Sequence, residues 1–252
     1  MLSLQEKGYI ILSMPAEDVQ PLGLLEKTAK GVAQNLNAHI KDLFEPAGYP
    51  LPAVKKNIQL PAEQRSVENL DLKTEVNFNF LKALTRFFTG TISASAALEK
   101  KNNVQLKMND LRKDTVNILN LDAYIQHAQL NTSAASFRET IEKGNLFVIT
   151  ETIKSSSFSL GDEQTSQVAA GADVPVQQVA EAKGALNYSR SKDHLVEHKG
   201  SSDLTIGIKA YQIFYRSGKF TIKNADTIKV VRGDQFPAEK LTGEEGFITL
   251  KT

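Results

Sequence analysis

The run Gly144–Gly161, GNLFVITETIKSSSFSLG, constrains the fold of this chain more than any other stretch. It is β-type throughout, and strand side chains alternate between two faces. Leu146, Val148, Thr150 and Thr152 therefore point one way, and Phe147, Ile149, Glu151 and Ile153 the other. The run exceeds the usual strand of about 5–6 residues. It closes on a serine cluster and holds no catalytic side chain, so its meaning comes from its surroundings.

Alternation recurs in two other places. Phe88, Gly90, Ile92, Ala94, Ala96 and Leu98 fall on one side, with Thr89, Thr91, Ser93, Ser95, Ala97 and Glu99 on the other. After the polar turn Lys100–Asn103 the pattern resumes as Val104, Leu106 and Met108 against Gln105, Lys107 and Asn109. Two amphipathic strands joined by a charged turn predict a hairpin. Leu204–Tyr215 alternates as well, and turns at Ser217-Gly218 into Phe220–Ile222.

The remaining elements follow from period and breakers. Gly8–Ser13 reads as a strand stopped by Pro15, and Pro21–Leu25 as a short apolar element. The spacing of Leu36, Ile40, Leu43 and Phe44 predicts a helix over 36–44. Val67–Asn77 is ambiguous. Val116–Leu130 reads as a helix whose buried side is Ile118, Leu119, Leu121, Ile125 and Leu130, and Ser136–Lys143 as a second helix closed by Gly144. A polar loop (161–175) and a weakly apolar segment (176–188) come next. The fold class is α+β, a twisted, mostly antiparallel sheet with surrounding helices.

Composition narrows the function. The chain has 252 residues, 41% hydrophobic and 23% charged, enough for one large domain or two small ones. No run approaches the ~18–20 apolar residues of a membrane helix, and the first residues do not form a signal peptide. With no cysteine there are no disulfides, thiolate metal sites or cysteine nucleophiles. The cytoplasm is the expected location. A net charge of +1 gives nucleic-acid binding no support. Between Lys82 and Lys113, however, seven Lys/Arg face two acids, whereas after Arg232 two lysines face four acids. The basic stretch either attracts anionic lipid or forms a solvated face.

His194-Leu-Val-Glu197-His198 matches H-x-x-E-H, in which two histidines one helical turn apart hold zinc and the glutamate is the general base. That reading needs a third ligand downstream. Only 54 residues follow, with Glu239, Glu244 and Glu245 as the only later glutamates. Chance is the better account. His39 and His127 sit alone on predicted helices and read as structural. No G-x-S-x-G, G-x-x-x-x-G-K or G-x-G-x-x-G pattern is present. Ser155–Ser157 and Ser201–Ser202 read as turns or strand ends, Glu17/Asp18 and Glu244/Glu245 as surface acids. Arg232-Gly-Asp234 is a three-residue coincidence. No cofactor is implied.

Six stretches taken together resemble the gasdermin family, its short bacterial members in particular. They are KGYIILSMP (7–15), QPLGLL (20–25), YPLPAV (49–54), FTGTISASAALEKKNNVQLKMND (88–110), LFVITETIKSSSFS (146–159) and LTIGIKAYQIFY (204–215). Their order and spacing carry the match. The resemblance implies a non-enzymatic, autoinhibited monomer in the cytoplasm. A host protease clips a short C-terminal peptide, and the body oligomerises in the inner membrane, on lipids of anionic character, as a large β-barrel pore that kills the infected cell in anti-phage defence. It divides the chain into a pore-forming body (1–231) and an inhibitory tail (232–252).

By the same analogy, hairpins at about 84–111 and 145–190 span the membrane. Phe88, Ile92, Ala94, Ala96, Leu98, Val104, Leu106, Met108, Phe147, Ile149 and Ile153 become the inserting residues, and Lys100, Lys101 and Lys107 the lipid-contacting bases. Arg232 is the expected scissile residue, with Lys229 and Lys240 as alternatives, and Phe247, Ile248 and Leu250 anchor the tail. A spanning strand needs ~9–11 residues, and an alternating hairpin supplies them without reading as hydrophobic overall. Short members often carry an acylated N-terminal cysteine; here Ser3 stands in that neighbourhood. The rival readings are a soluble binding module whose alternating strands line a core, and a zinc hydrolase using His194, Glu197 and His198.

Overall fold

The computed structural model describes residues 4, 7–27, 33–60, 67–71, 103–131, 134, 137–162, 187–189, 194–216, 219–224 and 247–248. In chain order the elements are β1 (Ile10–Ala16), β2 (Gly23–Lys27), β3 (Ala33–His39), α1 (Ile40–Leu43), β4 (Phe44–Glu45) and β5 (Val54–Gln59). They continue with β6 (Val67–Asp71), β7 (Asn103–Asn109), β8 (Arg112–Val116), α2 (Ile118–His127), β9 (Gln129–Leu130) and α3 (Arg138–Glu142). β10 (Leu146–Asp162), β11 (Asn187–Ser189), β12 (His194–Arg216), β13 (Lys219–Asn224) and β14 (Phe247–Ile248) complete the described set. The architecture is α+β, with a 12-stranded sheet ordered β14-β1-β12-β10-β2-β3 along its main path. β4 and β9 pair separately.

β10, at 17 residues, and β12, at 23, are the long members and pair antiparallel along their length. Successive residues of β10 feed opposite faces, and each face has its own core. Leu146 and Val148 join Ile213, Phe44, Leu121, Tyr124 and Ile125 on the side covered by α1 and α2. Phe147 and Ile149 join Ile10, Leu12, Leu25, Ile208 and Ala210 on the other. Each fully buried side chain of this kind contributes about 1.5–3 kcal/mol. One buried polar contact fixes α2 on the sheet: the Tyr124 hydroxyl donates to the Phe44 carbonyl at 3.0 Å. Burial holds that phenol above its ordinary pKa, so it remains a donor.

Gly144 joins α3 to β10 in a left-handed conformation, φ +70. A Cβ there would lie 2.8 Å from the Gln212 side chain, which donates to the Gly144 carbonyl. Only glycine fits that junction.

Several sequence expectations change. Residues 36–39 belong to β3, and the helix begins only at Ile40. Asn37 takes φ +50 and its N–H donates to the Asn35 side chain at 3.1 Å, a local bond that competes with helix formation. His39 is a cap: its Nδ1 accepts from Lys41 N–H at 3.2 Å, and its own N–H donates to the Asp42 carboxylate at 2.8 Å. Burial, with Lys41 adding to it, lowers the imidazole pKa and keeps Nδ1 free to accept. β1 runs past Pro15 to Ala16.

α2 is shorter than the 116–130 expected, and its phase differs. Leu121, Tyr124 and Ile125 are buried, whereas Leu119 is 79% exposed. Leu130 lies beyond the helix on β9. Leu121→Ala is therefore expected to cost about 2–5 kcal/mol in urea unfolding, and Leu119→Ala to stay within about 0.5 kcal/mol of the parent.

Candidate membrane-inserting strands and tail contact

β10 has β12 on one side and three successive partners on the other. Leu146–Val148 pair with β2, Glu151–Lys154 with β8 and Ser157–Asp162 with β7. From Glu151↔Thr115 through Lys154↔Arg112 and Ser157↔Asn109 to Asp162↔Val104, neither strand gains or loses a residue. β7 and β8 thus form one partner in continuous register. The break between them is conformational, at Asp110, whose φ is +52.

Opposite that break, β10 carries its serine cluster. Ser155 Oγ donates to the Ser157 carbonyl at 2.8 Å and accepts from Ser157 N–H at 3.1 Å. These are local bonds of the kind that compete with a ladder. On the far side of β10 the register jumps, from Ser155↔Leu204 to Ser157↔Lys199, so Ser156 faces the four residues Gly200–Asp203. A seam therefore crosses β7/β8, β10 and β12 at one level.

Charge is concentrated at this seam. Lys154 Nζ lies 2.8 Å from Asp114 Oδ2 and 3.9 Å from Asp203 Oδ2. Arg112 Nη1 donates to Asp203 Oδ2 at 3.3 Å. Asn57, at φ +56, donates its N–H to Asp114 Oδ1 at 2.7 Å and accepts from Lys154 Nζ at 3.3 Å. The side chains of Asp114, Lys154 and Asp203 are only 6%, 16% and 18% exposed. In such surroundings a carboxylate without its partner is expensive.

A second cluster sits on the core side of the seam, around Glu151. Tyr9 Oη donates to Glu151 Oε2 at 2.7 Å, Thr115 Oγ1 donates to Oε1 at 3.3 Å, and Lys209 Nζ lies 3.7 Å away. Lys209 Nζ also stands 4.5 Å from the Tyr9 ring centre. Burial first, then Glu151, raises the Tyr9 phenol above its ordinary pKa and favours its donating form. Glu151 so ties Tyr9, just ahead of β1, and the strands β8 and β12 to β10.

Beyond the seam the strands stand in the order β6-β7-β10-β12-β11. Directly opposed residues share a face. Leu106, Leu160 and Val196 form one such row, and Met108, Phe158 and His198 the next. The alternate rows read Lys107, Ser159 and Glu197, then Asn109, Ser157 and Lys199. On β7, β10 and β12 the first pair of rows is the richer in apolar residues, whereas the edge strand β6 sets Glu68 opposite Leu106 and Val67 opposite Lys107, and Asp162 stands opposite Val104.

The expected site residues distribute as follows. Val104, Leu106, Met108 and Lys107 lie on β7, with Leu106 and Met108 buried and Lys107 half-exposed. Phe147, Ile149 and Ile153 are fully buried, on the core side of the seam. Phe88, Ile92, Ala94, Ala96, Leu98, Lys100, Lys101, Arg232, Lys229, Lys240 and Leu250 lie outside the described residues. Phe247 and Ile248 form β14, parallel to β1 through Ile11↔Phe247 and Leu12↔Ile248. Phe158 and Leu160 escaped the sequence reading. The signal was there, because the apolar positions of the run shift from odd to even numbers across Ser155–Ser157.

The zinc reading meets a geometric obstacle. Residues 194–198 lie in a strand, where four residues span about 13 Å, against about 6 Å in the helix the pattern assumes. Among the described residues no group of three His, Cys, Asp or Glu is placed to hold a metal ion. The serines at 155–157 are a mid-strand seam rather than a turn or strand end. No helix among the described residues is long and apolar enough to cross a membrane.

Such a sheet, with paired amphipathic strands extending beyond a two-sided core, defines a class of α+β proteins, and comparison with known proteins supplies the family. Residues 12–219 match the model of the Bacterial Gasdermin Family, and the chain belongs to that family. It is 26% identical to Gasdermin bGSDM of Vitiosangium sp. over 221 residues, covering 87% of this chain and 82% of the relative. It is 27% identical to Gasdermin bGSDM of Gillisia limnaea over 252 residues, covering 93% and 92%. In fold it is similar to a bacterial gasdermin from Bradyrhizobium tropiciagri, with a TM-score of 0.57 and 14% identity over 98% of this chain and 94% of that one. Membership gives the chain a pore-forming, cell-death-related role, with oligomerisation and contact with membrane lipid, in a family that is generally not enzymatic.

The charge cluster yields a test of the folded form. Asp114→Ala removes the nearer carboxylate from the largely buried Lys154, leaving it Asp203 at 3.9 Å, and takes the acceptor from Asn57 N–H; it is expected to cost about 3–5 kcal/mol in chemical denaturation. Lys143→Ala breaks an exposed pair with Glu139 and is expected to leave the denaturation midpoint essentially unchanged.

Proposed function

We propose that this chain is an autoinhibited pore-former whose body, freed of its C-terminal peptide, assembles in the inner membrane as a large β-barrel and kills the cell in anti-phage defence. The observation that carries this reading is the ribbon beyond the seam. On β7, β10 and β12 its rows Leu106-Leu160-Val196 and Met108-Phe158-His198, the richer in apolar residues, alternate with the polar rows Lys107-Ser159-Glu197 and Asn109-Ser157-Lys199. A barrel wall needs this pattern, with one face to lipid, the other to the lumen, and every backbone group paired between strands. β7 neighbours β10, the first strand of the second hairpin, on one edge and β6 on the other, so the expected pairing of 88–98 with 104–108 would need β7 to give up one of these partners.

The body is residues 1–231 and the tail 232–252. Cleavage falls at Arg232, or at Lys229 or Lys240, through a host protease. β14 covers the outer edge of β1, the kind of edge that pairs with other chains when exposed. Phe247, Ile248 and Leu250 supply the tail's apolar grip. The chain is a cytoplasmic monomer before cleavage and a homo-oligomer in the membrane afterwards. Lys100, Lys101 and Lys107 contact anionic headgroups, at about 1 kcal/mol per charge near the surface. Phe88, Ile92, Ala94, Ala96, Leu98, Val104, Leu106 and Met108 face the acyl chains. Phe147, Ile149 and Ile153, which are buried, would have to leave the core to join them.

Liposome leakage tests this. A chain ending at Val231 is expected to release dye, and the full-length chain to stay inert; a harmless, monomeric truncated chain would end the autoinhibition reading. Within the truncated chain, Asp at Ile92 or Ala94 is expected to abolish release, because a midplane charge costs up to about 2–4 kcal/mol in every subunit. Asp at Ser93 or Ser95 is expected to be tolerated. Equal loss on both sides, or none, would favour the soluble binding module.

A further inference from the structure

β14 marks an edge at which the sheet can grow. It lies on the outer side of β1, parallel to it, through the residue pairs Ile11↔Phe247 and Leu12↔Ile248. From Ile11 a row crosses the sheet: Ile11 faces Gly207 of β12, Gly207 faces Ile153 of β10, Ile153 faces Lys113 of β8, and Lys113 faces Ile58 of β5. Among the described residues β5 pairs with β8 alone, so Ile58 ends the row at the opposite edge. The edge covered by the tail and the edge at Ile58 therefore stand at one level. Each of the four steps between them is antiparallel, so β1 and β5 run in the same direction.

The first half of β5 is protected against pairing. Lys56 and Asn57 together face Asp114, with Asn57 at φ +56, and Lys55 and Lys56 are exposed. A bulge and lysines are common means of blunting a sheet edge. Past the bulge that protection stops. Ile58 and Gln59 rejoin the ladder opposite Lys113 and Arg112, and Leu60 N–H donates to the Leu111 carbonyl at 3.1 Å. Bonded and non-bonded pairs alternate along an antiparallel ladder. The Leu60 bond therefore turns the backbone groups of Ile58 toward β8 and those of Gln59 outward. Ile58 is 37% exposed, and Gln59 is exposed too. The stretch Ile58–Leu60 is about as long as the one that β14 covers on β1.

Ring symmetry selects the partner. A head-to-tail ring repeats one contact between two different surfaces of each subunit. Neighbours in a large ring are related by a small rotation, so their strands point the same way, and β5 of one copy meets β1 of the next in parallel. That is the direction in which β14 already lies on β1. Pairing β1 with β1 would be isologous and would close a dimer instead. We propose that β1, once β14 leaves, is the docking edge for a second copy of this chain, which adds its β5 at Ile58–Leu60 in the parallel sense that the tail occupies before cleavage. This deepens the pore-forming reading, on which it rests, by naming the two strands that meet between subunits.

The test uses the full-length chain with a sequence-specific protease site inserted after Val231, cleaved on phosphatidylethanolamine–phosphatidylglycerol vesicles. Gln59 is replaced by the photocrosslinker p-benzoylphenylalanine, and unlabelled and isotope-labelled chains are mixed. After cleavage and illumination, mixed-label cross-links from position 59 to residues 10–16 are expected, and the uncleaved chain is expected to give none. Cross-links only to another segment of a second copy or to lipid, or none at all, overturn the proposal. Gln59→Pro is expected to leave the uncleaved chain folded, because proline is accepted on an edge strand whose N–H faces solvent. After cleavage it is expected to raise the protein needed for half-maximal dye release about tenfold, the scale of one lost hydrogen bond whose partner stays unpaired. Gln59→Ala is expected to match the parent; equal release by the two variants would also overturn the proposal. If Gln59→Pro does not fold, the cross-link decides alone. Dye release with cross-links elsewhere leaves the pore reading standing and removes this interface. Cross-links to residues 10–16 without dye release remove the pore reading and leave the interface.

Discussion

The pairing of β10 with β12 is the interaction on which the rest of the structure depends. Every layer of the protein is laid against one or other of these strands. β1 and β13 hydrogen-bond to β12, and β2, β8 and β7 to successive stretches of β10. The helices α1 and α2 cover one face of the pair, and the opposite face is packed by β1 and β2 residues. Because alternate residues of β10 serve two cores, no slip of a single residue is tolerated there, since it would exchange the two sets.

The same two strands have other neighbours past Ser157. There the flanking strands are β7 and β6 on one side and β11 on the other. Between the two regimes lies the seam, where the serine cluster bonds locally, Asp110 adopts a left-handed backbone and β12 carries its excess. The charge network of Asp114, Lys154, Arg112 and Asp203 occupies this level. Buried ionic groups add little net stability compared with apolar packing, and their best-attested use is to specify one arrangement among several. That fits a level where the register of β10 with β12 jumps while its register with β7 and β8 runs on unbroken.

Much of this was legible in the sequence, for physical reasons that can be stated residue by residue. The alternation of Leu146–Ile153 and of Val104–Met108 follows from the two-residue period of strands, and both stretches are strands. Gly144 after a short helix marked its end correctly. The failures also have causes. The spacing of Leu36, Ile40, Leu43 and Phe44 suits a helix, but Leu36 lies on a strand paired with β2 and Ile40 opens a single turn capped by His39. The spacing carried no trace of the strand pairing. Leu119 looked buried because leucine usually is. The helix is fixed instead by the Asn117 cap, whose side chain accepts from Asn120 N–H at 3.1 Å, and by Tyr124, and these turn Leu119 outward.

The seam was half visible. The serine cluster was noticed, but a run of serines has no intrinsic geometry, and a turn or strand end is the simpler reading. Only the pairing partners reveal that Ser156 faces four residues, and that the change of apolar parity from Ile153 to Phe158 is a structural event rather than noise.

Under the proposed function, the tail must hold this sheet inactive through a small contact. Reversing a two-state equilibrium from 1:99 to 99:1 takes about 5.5 kcal/mol of differential binding. β14 contributes two paired residues, and a net ladder hydrogen bond gives about 0.5–1.5 kcal/mol. Backbone pairing alone therefore falls short. Apolar side chains of the tail would make up the difference if two of them bury fully, at about 1.5–3 kcal/mol each. The tail offers Phe247, Ile248 and Leu250 for this, with Phe236 and Leu241 further upstream. A contact so divided is strong while the tail is tethered, because its local concentration is high. Once cut, the same peptide is a weak ligand that dilution removes. The economy of the tail is thus what makes cleavage, rather than a conformational signal, the natural trigger.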